Sequence, residues 1–103
     1  MINAKERSFL KSKANTLKPL VYIGKDGLND NIINEINISL FHNELIKIAV
    51  LKSCVETAKD LSIKIETKLF AETVQVLGSK ITLYKVTEKE GFEHLLAPDS
   101  FRL

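Results

Sequence analysis

Residues 17–30, Leu-Lys-Pro-Leu-Val-Tyr-Ile-Gly-Lys-Asp-Gly-Leu-Asn-Asp, constrain the fold more than any other stretch, because they compress a strand, a G-x-x-G loop and a helix start into fourteen positions. Leu20 to Ile23 is a short apolar run entered through Pro19, which suits a buried strand whose first residue donates no ladder hydrogen bond. Gly24 and Gly27 then permit positive φ and leave no Cβ in the way. The loop's N–H groups can therefore approach an anionic backbone, with Lys25 adding a mobile charge and Asp26 completing the loop. Asn29 as N-cap and Asp30 in the first turn set the positive end of a helix dipole beside it. Two glycines three apart also make an ordinary strand-to-helix turn, so the rest of the chain has to decide.

At 103 residues and 45% hydrophobic, the chain makes one domain with a modest core. The single cysteine, Cys54, excludes an intramolecular disulfide and a cysteine-based zinc cluster. No run of eighteen apolar residues is present, and the N-terminal residues carry no signal-peptide core, so the expectation is a soluble cytoplasmic protein without a membrane partner. The net charge of +2 hides an asymmetry. Residues 1–25 carry +5, from Lys5, Arg7, Lys11, Lys13, Lys18 and Lys25 against Glu6, while the other 78 residues carry −3. A basic end converging on a glycine loop has the electrostatic footprint of a nucleic-acid binder; the alternative is a merely solvated helix face.

Asn3-x-x-Glu6 forms a capping box, and Phe9, Leu10, Ala14 and Leu17 share one side of a helix running to about Asn15. After the loop, Leu28, Ile32, Ile33, Ile36 and Leu40 form the core stripe of a second helix, with Ile38 pointing the other way. His42-Asn43 ends it. Residues 44–51 are nearly continuously apolar with Lys47 inserted, as expected of a central strand covered by helices, parallel to the first through a right-handed crossover. Ser53-Cys54-Val55-Glu56 reads as the capping box of a third helix, whose stripe is Cys54, Ala58, Leu61, Ile65 and Leu69, joined by Val55 and Ser62. Residues 73–77 and 80–86 flank Gly78-Ser79 and make a hairpin. The expected order is α-β-α-β-α-β-β, a compact α/β domain over residues 1–87 with a four-stranded mixed sheet, followed by a tail, 88–103, that packs back or frays.

No catalytic constellation stands out among Cys54, His42, His94 and Glu44, and the loop lacks the spacing of a nucleotide-binding P-loop or a dinucleotide fold. The reading is a non-enzyme with no cofactor, no metal and no small-molecule substrate. Three segments in order, residues 17–28, His-Asn-Glu-Leu-Ile-Lys-Ile at 42–48 and Val-Gln-Val-Leu-Gly-Ser-Lys-Ile-Thr-Leu-Tyr-Lys at 74–85, closely resemble the CRM (chloroplast RNA splicing and ribosome maturation) domain family. The likeness covers roughly residues 3–86 and is nearest to the single-domain bacterial YhbY-like branch. It implies a fold like the C-terminal domain of translation initiation factor three, and RNA bound at Gly24, Lys25, Asp26 and Gly27. Lys18 and Lys47 carry over as the basic residues of the other motif segments, with Arg7, Lys11 and Lys13 on the neighbouring basic surface. It further implies association with precursors of the large ribosomal subunit, with ribosomal RNA as the partner; the chain itself is expected to be a monomer. Two features depart from the family pattern: Lys68-Leu69-Phe70-Ala71 stands where a glycine often closes the third helix, and the tail is acidic through Glu88, Glu90 and Glu93. A small protein-interaction module, docking through Ile38 and the apolar tail, is the competing reading; a phosphate-handling enzyme would have only Asp26 and Asp30 near the loop.

Overall fold

The computed structural model describes residues 2–96. Its elements follow the order α1 (Ala4–Ala14), β1 (Val21–Ile23), α2 (Asp30–Asn43), β2 (Leu45–Val50), α3 (Ala58–Leu69), β3 (Glu72–Leu77) and β4 (Lys80–Tyr84). This is the expected α-β-α-β-α-β-β order. The strands lie β1-β2-β4-β3, with β1 parallel to β2 and both β4 pairings antiparallel, so the sheet is mixed.

Strand alternation divides the core in two. Val21 and Ile23, Ile46 and Ile48, and Ile81 and Leu83 face α2 and α3, where Ile36, Leu40, Leu61 and Ile65 meet them in the larger cluster. Each such side chain contributes about 1.5–3 kcal/mol by leaving water. The other sheet face carries Leu45, Val74 and Tyr84, which pack with Leu10 and Ala14 of α1 and with Leu96. The tail therefore packs back as far as Leu96; residues 97–103 lie outside the described residues.

Both early caps form as expected. Asn3 and Glu6 make the reciprocal capping box, and the Asn29 side chain accepts from the Ile32 N–H at 2.9 Å. Phe9, expected on the inner side of α1, is exposed instead, because the buried stripe of that helix is Glu6, Leu10 and Ala14. The start of α3 also differs from expectation. Its N-cap is Thr57, which accepts from the Asp60 N–H at 3.1 Å, and Val55 is 93% exposed. Residues 51–54 form a turn instead: the Leu51 N–H donates to the Ile23 carbonyl and the Cys54 N–H to the Leu51 carbonyl. Cys54 is consequently a half-buried loop residue against the core rather than a helix residue. At the other end of α3, Phe70 adopts the left-handed conformation at φ +56°, a role glycine usually takes.

Candidate nucleic-acid interface

The G-x-x-G segment is a tight turn. Gly27 N–H donates to the Gly24 carbonyl at 3.0 Å, and Lys25 and Asp26 occupy the exposed tip. Their N–H groups make no hydrogen bond within the described residues, so they stand open to an acceptor from outside. Gly27 has φ +65°, where a side chain is strained. Gly24 serves a different need: a Cβ there would lie 3.3 Å from Ser53 Oγ and 3.4 Å from Leu51 Cδ1. The turn leads straight into the N-cap of α2, whose leading N–H groups and dipole favour an anion.

One carboxylate stands close by. A Cβ at Gly27 would lie 3.8 Å from Glu56 Oε1. Glu56 is paired with Lys64 through its other oxygen, and that hydrogen bond raises the lysine above its ordinary pKa. Sequence reasoning gave Glu56 a capping role and missed its position, since only the fold of the 51–57 loop brings it to the turn.

The nominated basic residues separate into groups. Lys25 is at the loop tip, and Lys18 is exposed just before β1. Lys47 is level with Leu20, whose N–H donates to the Lys47 carbonyl, and pairs across β4 with Thr82. Four residues of strand, roughly 13 Å of rise, separate that level from Gly24, so Lys47 lies on the sheet face and not beside the loop. Lys13 sits over the Phe9 ring, 5.6 Å from its centroid, and Lys11 is half-buried on α1. Arg7 has a packing role: its Nη1 donates to the Thr73 and Val74 carbonyls at 2.6 and 2.9 Å. Those carbonyls lie at the irregularity in β3 between Thr73 and Gln75, where the pairing register shifts.

On the face opposite α2 and α3, α1 covers only part of the sheet. Beyond it one row runs Leu20, Lys47, Thr82, Gln75 and the next Tyr22, Ala49, Lys80, Leu77; Leu20, Tyr22, Lys80 and Leu77 are exposed, Lys47 and Gln75 half-buried, and the smaller Thr82 and Ala49 buried between them. Tyr22 is 54% exposed at the β1 end of this surface, and Gly24 follows two residues on.

His42 and His94 take structural positions. His42 ends α2, with Nδ1 3.2 Å from Lys89 Nζ. His94 Nδ1 lies 2.5 Å from Glu44 Oε2, and Glu44 is wholly buried. The nearby Thr87 hydroxyl donates to the Phe41 carbonyl at 2.6 Å and accepts from the Lys89 N–H. Among the described residues no three His, Cys, Asp or Glu side chains form a metal-binding group, and no helix is long and apolar enough to cross a membrane.

The family model for the CRS1/YhbY (CRM) domain matches residues 2–85. The chain belongs to this family. The CRM domain here is 38% identical over 89 residues to "Probable RNA-binding protein YqeI" of Bacillus subtilis, covering 86% of this chain and 93% of the relative. An "RNA-binding protein" of Haemophilus influenzae is 34% identical over 88 residues, covering 85% and 89%. The solution structure of a hypothetical protein from Staphylococcus aureus superposes on this CRM domain with a TM-score of 0.74 at 34% identity, covering 87% of this chain and 94% of that one.

Proposed function

We propose that this CRM domain is a non-catalytic, cytoplasmic RNA-binding protein that holds structured ribosomal RNA through the Gly24–Gly27 turn and the adjoining basic surface, during assembly of the large ribosomal subunit. The observation that carries the reading is the exposed Lys25-Asp26 tip, with two unengaged N–H groups beside the N-terminus of α2. Relatives named as RNA-binding proteins support it. Phosphate oxygens would accept from the turn and from the leading N–H groups of α2, while Lys18, Lys25, Lys11 and Lys13 supply charge. Arg7, with Nη1 occupied at the β3 irregularity, contributes only its remaining N–H groups.

Binding governed by phosphates weakens steeply with salt. With about four phosphates neutralised, log K against log salt falls with a slope near −3 on a single-stranded target, from roughly −0.7 per contact. A salt-independent affinity overturns the reading. Crosslinking the bound RNA in cells and sequencing it tests the ribosomal target: fragments spread over messenger and transfer RNA would refute it.

A second reading, a protein-interaction module, is favoured by the groove between α2 and the segment after β4, about 580 Å³ in volume, where Ile38, Phe41 and Val86 are exposed. Failure to bind total RNA at low salt would select it.

A further inference from the structure

We propose that the exposed Tyr22 ring on the outer face of the sheet, with Lys47 and Lys80 on the strands beside it, is a stacking platform for unpaired RNA bases, an inference that rests on the RNA-binding reading and carries the site beyond the glycine turn. Tyr22 alternates with Val21 and Ile23, which are locked in the core, so its ring is held on the outer face by a backbone paired to β2. With the backbone already ordered, only the side-chain torsions of Tyr22 have to settle when a base stacks on it, and every base offers a π-face.

The surroundings decide the kind of partner. Neither of these two rows contains a carboxylate, whereas the half-buried Lys47 stands one strand from Tyr22 on the neighbouring row and the exposed Lys80 two strands away on its own row. At about 4.8 Å per strand, Lys80 is about 10 Å from the ring's strand, within a side chain's reach of a backbone crossing the face. An anionic chain carrying flat rings matches a tyrosine set among ammonium groups; an acidic peptide would meet the charges but leave Tyr22 without a stacking partner. The row beyond Tyr22 begins at Gly24, roughly 7 Å along the strand. A strand of RNA held by its phosphates at the Gly24–Gly27 turn therefore passes onto this face. Paired bases keep their faces within the helical stack, so only unpaired ones can lie on Tyr22.

The test uses the full chain, its Tyr22→Ala and Tyr22→Phe variants, and two RNAs: a blunt duplex and the same duplex with an unpaired overhang containing a fluorescent adenine analogue. Thermal midpoints establish that each variant is folded. Tyr22→Ala is expected to lose about 5- to 150-fold in affinity for the overhang RNA, the range that one base–aromatic stack supplies. Its affinity for the blunt duplex stays unchanged. Tyr22→Phe binds like the parent, and the analogue is quenched by the parent and Tyr22→Phe but not by Tyr22→Ala. If the parent binds neither RNA, the RNA-binding reading fails and takes the platform with it. If the parent binds but Tyr22→Ala matches it on both RNAs, or loses equally on both, the platform alone is overturned. Self-association of the parent that disappears in Tyr22→Ala, with RNA affinity untouched, overturns it in favour of a protein contact.

Discussion

The backbone N–H of Leu95 donates to the buried carboxylate of Glu44 at 3.1 Å, joining the chain's tail to the start of its central strand. The same carboxylate accepts from the Thr87 N–H at 2.8 Å and lies 2.5 Å from His94 Nδ1. Glu44 has φ +62°, and its own N–H caps α2 on the Leu40 carbonyl. One residue therefore ends a helix, begins a strand and anchors the tail. A buried carboxylate is tolerated only with such partners, and removing one side of the arrangement exposes the cost of the other.

Replacing Glu44 by Gln keeps the volume but turns an amide N–H₂ toward groups that are themselves donors. We expect a loss of about 1–3 kcal/mol in stability, measured by urea unfolding, and faster hydrogen exchange at the Thr87 and Leu95 amides. Slow exchange retained at both amides would show that the apolar contact of Leu96 holds the tail without the carboxylate.

Tyr84 is buried, and its hydroxyl finds no hydrogen-bond partner among the described residues. Burial pushes its pKa well above the ordinary tyrosine value, and the Glu44 and Glu6 carboxylates push in the same direction. The folded state thus favours the neutral phenol. That contribution is fully present below the unfolded pKa of about 10 and is lost as pH rises through it toward the folded value. Tyr84→Phe should raise stability near neutral pH by about 1 kcal/mol, from the unpaired hydroxyl, and flatten the alkaline loss. An unchanged alkaline unfolding profile would contradict this account.

At the turn, Gly27→Ala should destabilise the domain by about 1–2 kcal/mol, because the residue sits at φ +65° and only glycine is unstrained there. Lys25→Ala should leave the thermal midpoint unchanged and weaken RNA binding, since the side chain is exposed at the tip. Gly27→Asp should lose affinity beyond what its unfolded fraction explains, having placed a charge where a phosphate is proposed to lie. Parent-like binding by all three, corrected for folded fraction, would reduce the turn to a connector.

Phe70 offers a gain instead. Its ring is 85% exposed and its backbone is left-handed at the end of α3. Phe70→Gly relieves about 1–2 kcal/mol of backbone strain and gives back about 0.4–1 kcal/mol through the freer unfolded chain. The net expectation is a raised thermal midpoint; a lowered one would mean that the ring makes contacts its exposure does not suggest.

Most of the elements and the glycine turn are written in local sequence signals. Helix caps at Asn3 and Asn29, the four-residue stripe of Ile32, Ile36 and Leu40, and the glycine turn of the hairpin are local signals, and local backbone chemistry answers to them. Where the sequence pointed to Ser53–Glu56 as the start of the third helix, the structure instead keeps residues 51–54 in a turn tied to Ile23 and begins the helix after Thr57, whose hydroxyl caps the Asp60 N–H. Nothing local marks Glu44 as the anchor of the tail, since its partners come from positions 87 to 95. The same holds for the face that gathers Tyr22, Lys47 and Lys80. Lys47 shares a surface with Tyr22 because β1 pairs in parallel with β2, and Lys80 joins it because β4 inserts between β2 and β3, in a register fixed by burying Ile81 and Leu83 on the opposite side.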